Sequence, residues 1–278
     1  KPTVVQPMPP AQSGPQLAYV RIDSTPPGAT VMVVDGDEST FLGTTPIATA
    51  LDPSHAYDIV FTLDGRQPKT MHFDPAVSPR VSVMFDCNGC NTTAAAIVAW
   101  LAHGRSLAGK RAVVLAGSGP VGQRAAALLA REGAAVAITG RKSEVVQTAC
   151  RSLQARFGIE VRALETPTNT ERAAALEGAH IVLATGAAGV RLLDEQQWQH
   201  NAGLELVADA NASPPAAIEG VGPDDCGAIK HGKILFGPLG FGALKLSLHR
   251  ACVARLFETN DRLLDAEEIY AIAKTMVA

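Results

Sequence analysis

Three glycines near the middle of this chain are the first candidates for a ligand-binding site. They lie in Gly117-Ser118-Gly119-Pro120-Val121-Gly122, which has the pattern G-x-G-x-x-G. The apolar run at residues 110–116 precedes them, and an alanine-rich stretch to about residue 132 follows. A continuous apolar run predicts a strand buried on both faces, and the alanine-rich stretch predicts a helix. The glycines therefore fall at a strand-to-helix turn.

This context predicts a dinucleotide-binding turn. Gly117 permits the tight turn, Gly119 lets the backbone approach a pyrophosphate, and Gly122 lets the helix pack closely on the strand. Free N–H groups at the helix start then face the phosphates, aided by the helix dipole. A lone G-x-G-x-x-G is weak evidence, and a purely structural turn is the alternative. The next predicted strand, at residues 134–139, favours the dinucleotide interpretation.

The residues that follow this second strand indicate which dinucleotide is bound. An NAD-specific domain places Asp or Glu there to bind the ribose 2′-hydroxyl. This chain has Thr139-Gly140-Arg141-Lys142 instead. A carboxylate would repel a 2′-phosphate, whereas each charge-assisted hydrogen bond from Arg141 or Lys142 would contribute about 1.5–3 kcal/mol. The sequence therefore favours NADP, and the alternative is a solvated basic start of the next helix.

The remaining pattern alternates strands and helices, which predicts an α/β fold, a Rossmann doubly wound parallel sheet. Further strands are expected at residues 159–164, 180–185, 204–209 and 234–236, and helices at 143–157, 171–177, 239–258 and 265–276. Ligands bind such sheets at the carboxyl ends of the strands. The candidate cofactor-binding residues are therefore Gly117, Gly119, Pro120, Val121, Gly122, Thr139, Arg141, Lys142, Thr185, Gly186 and Asn211.

The N-terminal part of the chain has a different character. Residues 1–16 contain five prolines and predict a solvated linker. Residues 17–79 contain short alternating apolar runs and Asp-Gly turns, which predict a small all-β domain of antiparallel strands. The expected strands are residues 18–23, 29–35, 57–63 and 69–73. The Rossmann domain is then expected to occupy residues 80–278.

The order of turns in residues 17–74 resembles the PEGA domain. The matching pieces are Ser24-Thr25-Pro26-Pro27-Gly28-Ala29, Val31, Val33, Asp35-Gly36, Gly43-Thr44-Thr45-Pro46, His55, Tyr57 and Gly65. The resemblance implies a non-catalytic β-module that is appended to other domains and often displayed at cell surfaces. His55 is expected to pack as an ordinary strand residue.

Composition excludes several classes of partner and location. The chain is 47% hydrophobic and 18% charged, as expected of a soluble globular protein. A net charge of −3 gives no reason to expect nucleic acid or an anionic membrane as partner. No apolar run approaches the roughly 20 residues of a membrane span. An odd count of five cysteines favours a reducing compartment, so a cytoplasmic location is expected.

Cys87-Asn88-Gly89-Cys90 forms a C-x-x-C, which could be half a zinc site or a redox pair. No second C-x-x-C or histidine cluster completes a zinc site. No metal is therefore expected.

Several segments of residues 80–278 together resemble one family. They are residues 80–95, 116–122, 139–142, 209–212 with Pro214-Pro215, 237–248 and 264–268. The family is the NADP-dependent methylene-tetrahydromethanopterin/methylene-tetrahydrofolate dehydrogenase of one-carbon metabolism. The resemblance implies hydride transfer between the methylene group of a reduced pterin and NADP. It also implies that Asn88, Gly89 and Asn91 line the pterin cleft and that Lys245 approaches the pterin, although a solvated position on a helix is the alternative for Lys245.

This sequence departs from the family at its N-terminal side. The family normally begins with a pterin-binding domain, of which only the final strand, at residues 80–86, is apparent here. The PEGA-like segment stands in its place, which suggests a fusion or chimera with doubtful turnover. The alternatives are a non-catalytic NADP-binding module with a surface or adapter β-domain, or a structural protein that binds nothing. The family usually works as an oligomer, so a homo-oligomer is a further expectation.

Overall fold

The computed structural model of this chain describes residues 17–22, 24, 28–63, 68–77, 83–84, 89–258 and 263–277. They form two compact units. The first contains the described residues up to Val83 and 256–258, and the second contains Met84, 89–255 and 263–277. The expected linker at residues 1–16, most of the expected strand at 80–86, and both Cys87 and Asn88 lie outside the described residues.

The first unit is built from antiparallel strands. Four of them form a sheet in the order β3-β2-β5-β6, and β1 pairs with β4. The strands are β1 (Ala18–Ile22), β2 (Thr30–Asp35), β3 (Glu38–Thr44), β4 (Ile47–Leu51), β5 (Tyr57–Thr62) and β6 (Lys69–Phe73). Alternate residues such as Val31, Val33 and Ile59 face a shared apolar core. This packing is what the period of two along each strand predicts.

Three features of this unit differ from the sequence-based expectation, because β3, β4 and the position of His55 were not predicted. Strand β3 was not predicted, because it lies at the sheet edge and most of its residues are exposed, so it has no apolar alternation to detect. The expectation that His55 packs within a strand is wrong. His55 is exposed in the turn before β5, and its Nε2 lies 2.8 Å from the Oδ2 of Asp35. The contact with the Asp35 carboxylate, and not packing in the apolar core of this unit, therefore determines the position of His55.

The second unit is an α/β structure. The short strand β7 (Val83–Met84) begins at Val83, the last residue of the first unit's main segment. The other strands are β8 (Arg111–Leu115), β9 (Ala135–Gly140), β10 (Arg162–Glu165), β11 (Ile181–Ala184), β12 (Leu206–Asp209), β13 (Cys226–Lys230), β14 (Lys233–Phe236) and β15 (Leu263–Leu264). The helices are α1 (Cys90–Ala102), α2 (Pro120–Arg131), α3 (Ser143–Phe157), α4 (Asn169–Ala174), α5 (Gly242–Leu256) and α6 (Ala266–Val277).

Seven strands of this unit form one sheet in the order β10-β9-β8-β11-β12-β14-β13. All pairs are parallel except β13 with β14. The chain moves outward from β8 to β10 and then returns to β11 on the other side of β8, which is the Rossmann order. The strand reversal between β8 and β11 leaves a crevice at their carboxyl ends, where ligands bind in such sheets.

The centre of the sheet is apolar on both faces, as parallel sheets require. Every residue of β11 and β12 is buried, and Leu115 at the end of β8 is fully buried. Helix α1, which packs against α2 and α6, was not predicted, because 11 of its residues are buried and no polar face marks its period. None of the described helices is both long and apolar enough to cross a bilayer.

Candidate functional site

The glycine turn connects β8 to α2, and two of its glycines are required by close packing. A Cβ on Gly117 would lie 2.9 Å from both the Cβ of Ile138 and the carbonyl oxygen of Val114. A Cβ on Gly122 would lie 2.5 Å from the Cα of Gly117 and 2.6 Å from the Oγ1 of Thr185. Because an interior at this density has no room for another carbon, both positions need glycine.

Gly119 has the opposite environment. It is the N-cap of α2, with φ −78° and ψ 172°, and a Cβ there would meet no heavy atom of the described residues within 4 Å. No side chain caps the helix, and Pro120 lies in its first turn. The N–H of Gln123 bonds to the carbonyl of Gly119 at 3.0 Å, so the earlier amides of Val121 and Gly122 have no intrahelical acceptor. An open space beside free amides at a helix N-terminus is suited to a phosphate.

Two threonines support this turn from the neighbouring strands. The Oγ1 of Thr139, at the end of β9, accepts a hydrogen bond from the N–H of Ala116 at 3.1 Å, and its carbonyl accepts one from Gly117 at 2.9 Å. The Oγ1 of Thr185, just after β11, donates to the carbonyl of Leu115 at 3.1 Å. Both hydroxyls therefore contact the turn itself, and in this geometry they position its backbone.

A cavity of about 290 Å³ lies at the carboxyl ends of the strands beside the turn. Its lining contains Thr139, Arg141 and Gly186 from the predicted cofactor set. Lys142, the N-cap of α3, is exposed and lies outside this lining. The remaining lining residues are Ala116, Ser118, Gly140, Thr166, Pro167, Arg172, Ala187, Val190 and Leu192. The structure thus brings together the ends of β8, β9, β10 and β11 around one opening.

Two polar residues of this lining were missed by the sequence analysis. Thr166 follows β10 directly, so its place at the carboxyl edge of a parallel strand was a usable signal. Arg172 lies within the short helix α4, where the sequence offers no sign that distinguishes it from a solvated arginine. Burial lowers the pKa of Arg172, an effect that the nearby Glu171 carboxylate opposes and the positive charge of Arg141 reinforces.

The end of β12 is held by a buried carboxylate. Asp209 is 1% exposed, and it accepts hydrogen bonds from the N–H of Ile218 at 3.0 Å and of Asn211 at 2.8 Å. Burial raises the pKa of Asp209, while these backbone donors oppose the rise. The Nδ2 of Asn211 lies 3.5 Å from the carbonyl of Ala187, on the loop that follows β11. Asn211 therefore connects the two loops on that side of the crevice.

The residues expected near the pterin lie around the start of α1. Gly89 is its N-cap, with φ 69°, and a Cβ there would lie 3.2 Å from the Nζ of Lys245. Asn91, however, is fully buried, and its Nδ2 donates to the Oδ1 of Asp265 at 2.9 Å. The structure thus places Gly89 beside Lys245 on α5, while the amide of Asn91 contacts the N-terminal end of α6.

Asp265 connects three helices of this unit. Besides Asn91, its carboxylate accepts hydrogen bonds from the guanidinium of Arg156, at the end of α3, and from the N–H of Ala266 at 2.7 Å. Asp265 and Arg156 keep only 20% and 24% of their side-chain surface exposed. This arrangement stabilises the position of α1, on which Gly89 depends.

A larger groove of about 1190 Å³ crosses β8, β9 and β10 but contains none of the predicted site residues. Charged side chains such as Arg111, Glu160 and Glu177 line it alongside alanines of the strands. The glycine turn and the N-terminus of α2 lie outside its lining. The smaller cavity beside the turn is therefore the better candidate for a nucleotide site.

The described residues contain no group of three or more histidine, cysteine, aspartate or glutamate side chains that could hold a metal ion. Cys150 and Cys226 carry free thiols, and burial raises the pKa of each. Thiols with a raised pKa are poor nucleophiles near neutral pH.

No protein-family model matches the chain. The chain is 53% identical over 199 residues to the bifunctional protein MdtA of Methylorubrum extorquens. This match covers 71% of this chain and 69% of that protein. The chain is also 32% identical over 211 residues to the NAD(P)-dependent methylenetetrahydromethanopterin dehydrogenase of the same organism, and this match covers 71% of this chain and 70% of that protein.

Among solved structures, a transhydrogenase from Sinorhizobium meliloti matches 68% of this chain and 54% of its own chain, about half its length, at 19% identity and a TM-score of 0.46. The two sequence matches are much stronger, and each spans more than two thirds of the relative. The chain therefore belongs to the family of MdtA and the NAD(P)-dependent methylenetetrahydromethanopterin dehydrogenase.

Proposed function

We propose that this chain is an NADP-dependent dehydrogenase that transfers a hydride between the methylene group of a reduced pterin, methylene-tetrahydromethanopterin or methylene-tetrahydrofolate, and NADP. The observation that carries the proposal is the glycine turn. Gly117 and Gly122 are closely packed, whereas Gly119 alone faces open space beside free helix amides. Membership of the dehydrogenase family supports the same reaction class.

The cofactor side of the site is assigned to the carboxyl ends of β8 and β9. The turn amides would hold the pyrophosphate, with Thr139 and Thr185 positioning the turn. Arg141 and Lys142 would hold the 2′-phosphate. NADP, when bound, supplies the nicotinamide that accepts the hydride, so the protein itself needs chiefly to orient the two reactants.

The pterin side is assigned to the start of α1. Lys245 places an ammonium group next to Gly89, where it would approach the pterin. The pterin's own nitrogens stabilise the methenyl cation that forms, so little acid–base catalysis is needed from the protein. Reacting atoms must be held about 3–3.5 Å apart, and a misplacement of 1 Å costs on the order of 100-fold in rate. Lys245 would therefore act by binding and orientation.

A second candidate function is a non-catalytic NADP-binding module with an appended β-domain. The environment of Asn91 favours it, because the amide expected to face the pterin donates instead to Asp265. In this case the nucleotide binds and no pterin is turned over. The PEGA-like identity of the first unit, a homo-oligomeric state and a cytoplasmic location remain predictions under either function.

The first test is calorimetric titration with NADP and NAD. We expect the double variant Arg141→Ala/Lys142→Ala to weaken NADP binding at least about tenfold, since one charge-assisted hydrogen bond is worth that much, with NAD affinity nearly unchanged. The matched control is Arg151→Ala/Arg250→Ala, which removes the same charge from exposed positions outside the cavity lining. Equal NADP and NAD affinity in the unsubstituted chain would refute the cofactor assignment.

The second test separates the two candidate functions. A reduced methylene-pterin is added to the chain at saturating NADP, and NADPH absorbance is followed. Dehydrogenase activity predicts a pterin-dependent rise that Lys245→Met lowers without changing the Kd of NADP. Tight NADP binding with no rise would favour the non-catalytic module.

A further inference from the structure

The cavity beside the glycine turn contains a buried cation that forms no ion pair with any of the described residues. Arg172 is 9% exposed and lines this cavity. Buried arginines are rare unless an anion compensates them. In the described part of the chain, no ion pair includes Arg172, although other arginines nearby, such as Arg191, form them.

The hydrogen bonds of Arg172 hold its guanidinium in place without removing its charge. Its Nε donates to the carbonyl of Leu192 at 2.9 Å, and its Nη1 donates to the carbonyl of Thr166 at 3.1 Å. Its Nη2 donates to the Oδ1 of Asn169. These acceptors are neutral. The adjacent carboxylate of Glu171 is used instead in the cap of α4, where it accepts bonds from the N–H and Oγ1 of Thr168, each at 2.8 Å.

Arg141 brings a second positive charge to the same cavity. It lines the opening from the end of β9, and its charge is near enough to lower the pKa of Arg172. Two like charges at one opening repel each other, and the arrangement becomes favourable when an anion lies between them. Because the Nη1 of Arg172 also donates to the carbonyl of Pro167 at 3.5 Å, Arg172 would act mainly through its permanent charge. The planar donor set of the exposed Arg141 matches phosphate oxygens.

An independent feature of the lining also indicates a polar ligand. Thr166 is 3% exposed, and its buried Oγ1 has no hydrogen-bond partner among the residues that the structure describes. Buried hydroxyls are normally hydrogen-bonded, so an unpartnered one in a cavity wall needs an explanation. At about 290 Å³, the cavity is near the lower limit for small-molecule sites and suits one nucleotide moiety rather than a whole dinucleotide.

We propose that Arg172 is a specificity-determining residue that binds the 2′-phosphate of NADP together with Arg141, and that the Thr166 hydroxyl bonds the same adenosine half. The inference rests on the proposed function and adds two residues to its cofactor site. In this arrangement Arg141 is the exposed cation and Arg172 is the fixed one. Selection of NADP over NAD is then divided between β9 and α4.

The test is the ratio of the Kd values for NAD and NADP in Arg172→Gln. We expect the Kd of NADP to rise about tenfold or more and that of NAD to change less than about twofold, so the ratio falls. A residue that only supports the fold would weaken both nucleotides equally. An unchanged ratio in a folded variant would overturn the proposal.

Two further variants keep the proposal testable if Arg172→Gln does not fold. Arg141→Ala/Lys142→Ala alters only exposed side chains, and we expect it to keep a several-fold preference for NADP because Arg172 remains. Equal affinity for both nucleotides in that variant would exclude a role for Arg172. Thr166→Val should weaken NAD and NADP alike, severalfold, without lowering the Tm, and unchanged affinity would exclude the hydroxyl contact.

The same titrations distinguish this inference from the proposed function. If the unsubstituted chain binds neither nucleotide, both fail. If it prefers NADP and Arg172→Gln keeps that preference, only the inference about Arg172 fails.

Discussion

Replacing single glycines of the turn by alanine should separate binding from folding. At Gly119, φ −78° and ψ 172° suit any residue, and the added methyl group meets no protein atom within 4 Å. Gly119→Ala should therefore change the free energy of unfolding by less than about 1 kcal/mol. At Gly122 the methyl group would lie 2.5 Å from the Cα of Gly117. Gly122→Ala should cost about 1–3 kcal/mol, the usual range for overpacking.

For NADP binding we expect the reverse: Gly119→Ala should weaken binding more than Gly122→Ala does, although Gly122→Ala destabilises the fold more. The methyl group of Gly119→Ala occupies the space through which the pyrophosphate reaches the helix amides. Losing one hydrogen bond to a charged group costs about 1.5–3 kcal/mol, which corresponds to roughly 10- to 150-fold in Kd. Gly119→Ala should therefore be a folded protein with at least about tenfold weaker NADP binding.

Urea unfolding and calorimetric titration of the same protein samples measure both quantities. The variant Gly227→Ala is an unsuitable control, because Gly227 has a positive φ of 85°. Gly242→Ala is better, since a Cβ there meets nothing within 4 Å and the position lies at the start of α5. Should Gly119→Ala bind NADP as tightly as the unsubstituted chain, the assignment of the turn to the pyrophosphate is refuted.

Three further substitutions test two supports of the site and one ion pair elsewhere in the second unit. Thr139→Val removes the acceptor of the Ala116 N–H and should cost about 1–3 kcal/mol of unfolding free energy in urea, while a cost near zero would contradict the supporting role. The pKa of Glu195 is lowered chiefly by the hydrogen bond from Lys230, so its stabilising effect should be present above the unfolded pKa of about 4.3 and be lost as pH falls through the lower folded pKa. Glu195→Gln should accordingly destabilise at pH 7 and lose its effect towards acid pH, and a pH-independent difference would show that reasoning to be wrong. Asp265→Ala should cost about 1–3 kcal/mol in urea unfolding and leave the Kd of NADP within about twofold, and the opposite pattern would mean that Asp265 contacts the cofactor site.

Secondary structure was predicted correctly from the sequence where local sequence signals and tertiary packing agree. Helix α3 was predicted with both ends as observed, because Gly158 adopts φ 66° and ends the helix at Phe157. The strand-to-helix position of the glycine turn also followed from the sequence, because a buried apolar run precedes it and an alanine-rich helix follows it. These features depend on residues that are close together along the chain.

The features that were missed have no clear local signal in the sequence, and two of them depend on residues far apart along the chain. Strand β13 was not predicted, because most of its residues are exposed and its pairing with β14 is interrupted by a bulge near Gly227. Arg172 was missed because its burial depends on the carbonyl of Leu192, 20 residues away. The hydrogen bond from the Nδ2 of Asn91 to Asp265, 174 residues away, was likewise not predicted. No local pattern encodes such contacts.

The assignment of the cofactor site can be checked in a crystal structure of the chain with NADP bound. We expect the pyrophosphate at the N-terminus of α2 beside Gly119, and the 2′-phosphate within hydrogen-bonding distance of Arg141 and Arg172. NADP bound elsewhere, or a crystal grown at saturating NADP with no density at the glycine turn, would contradict this assignment.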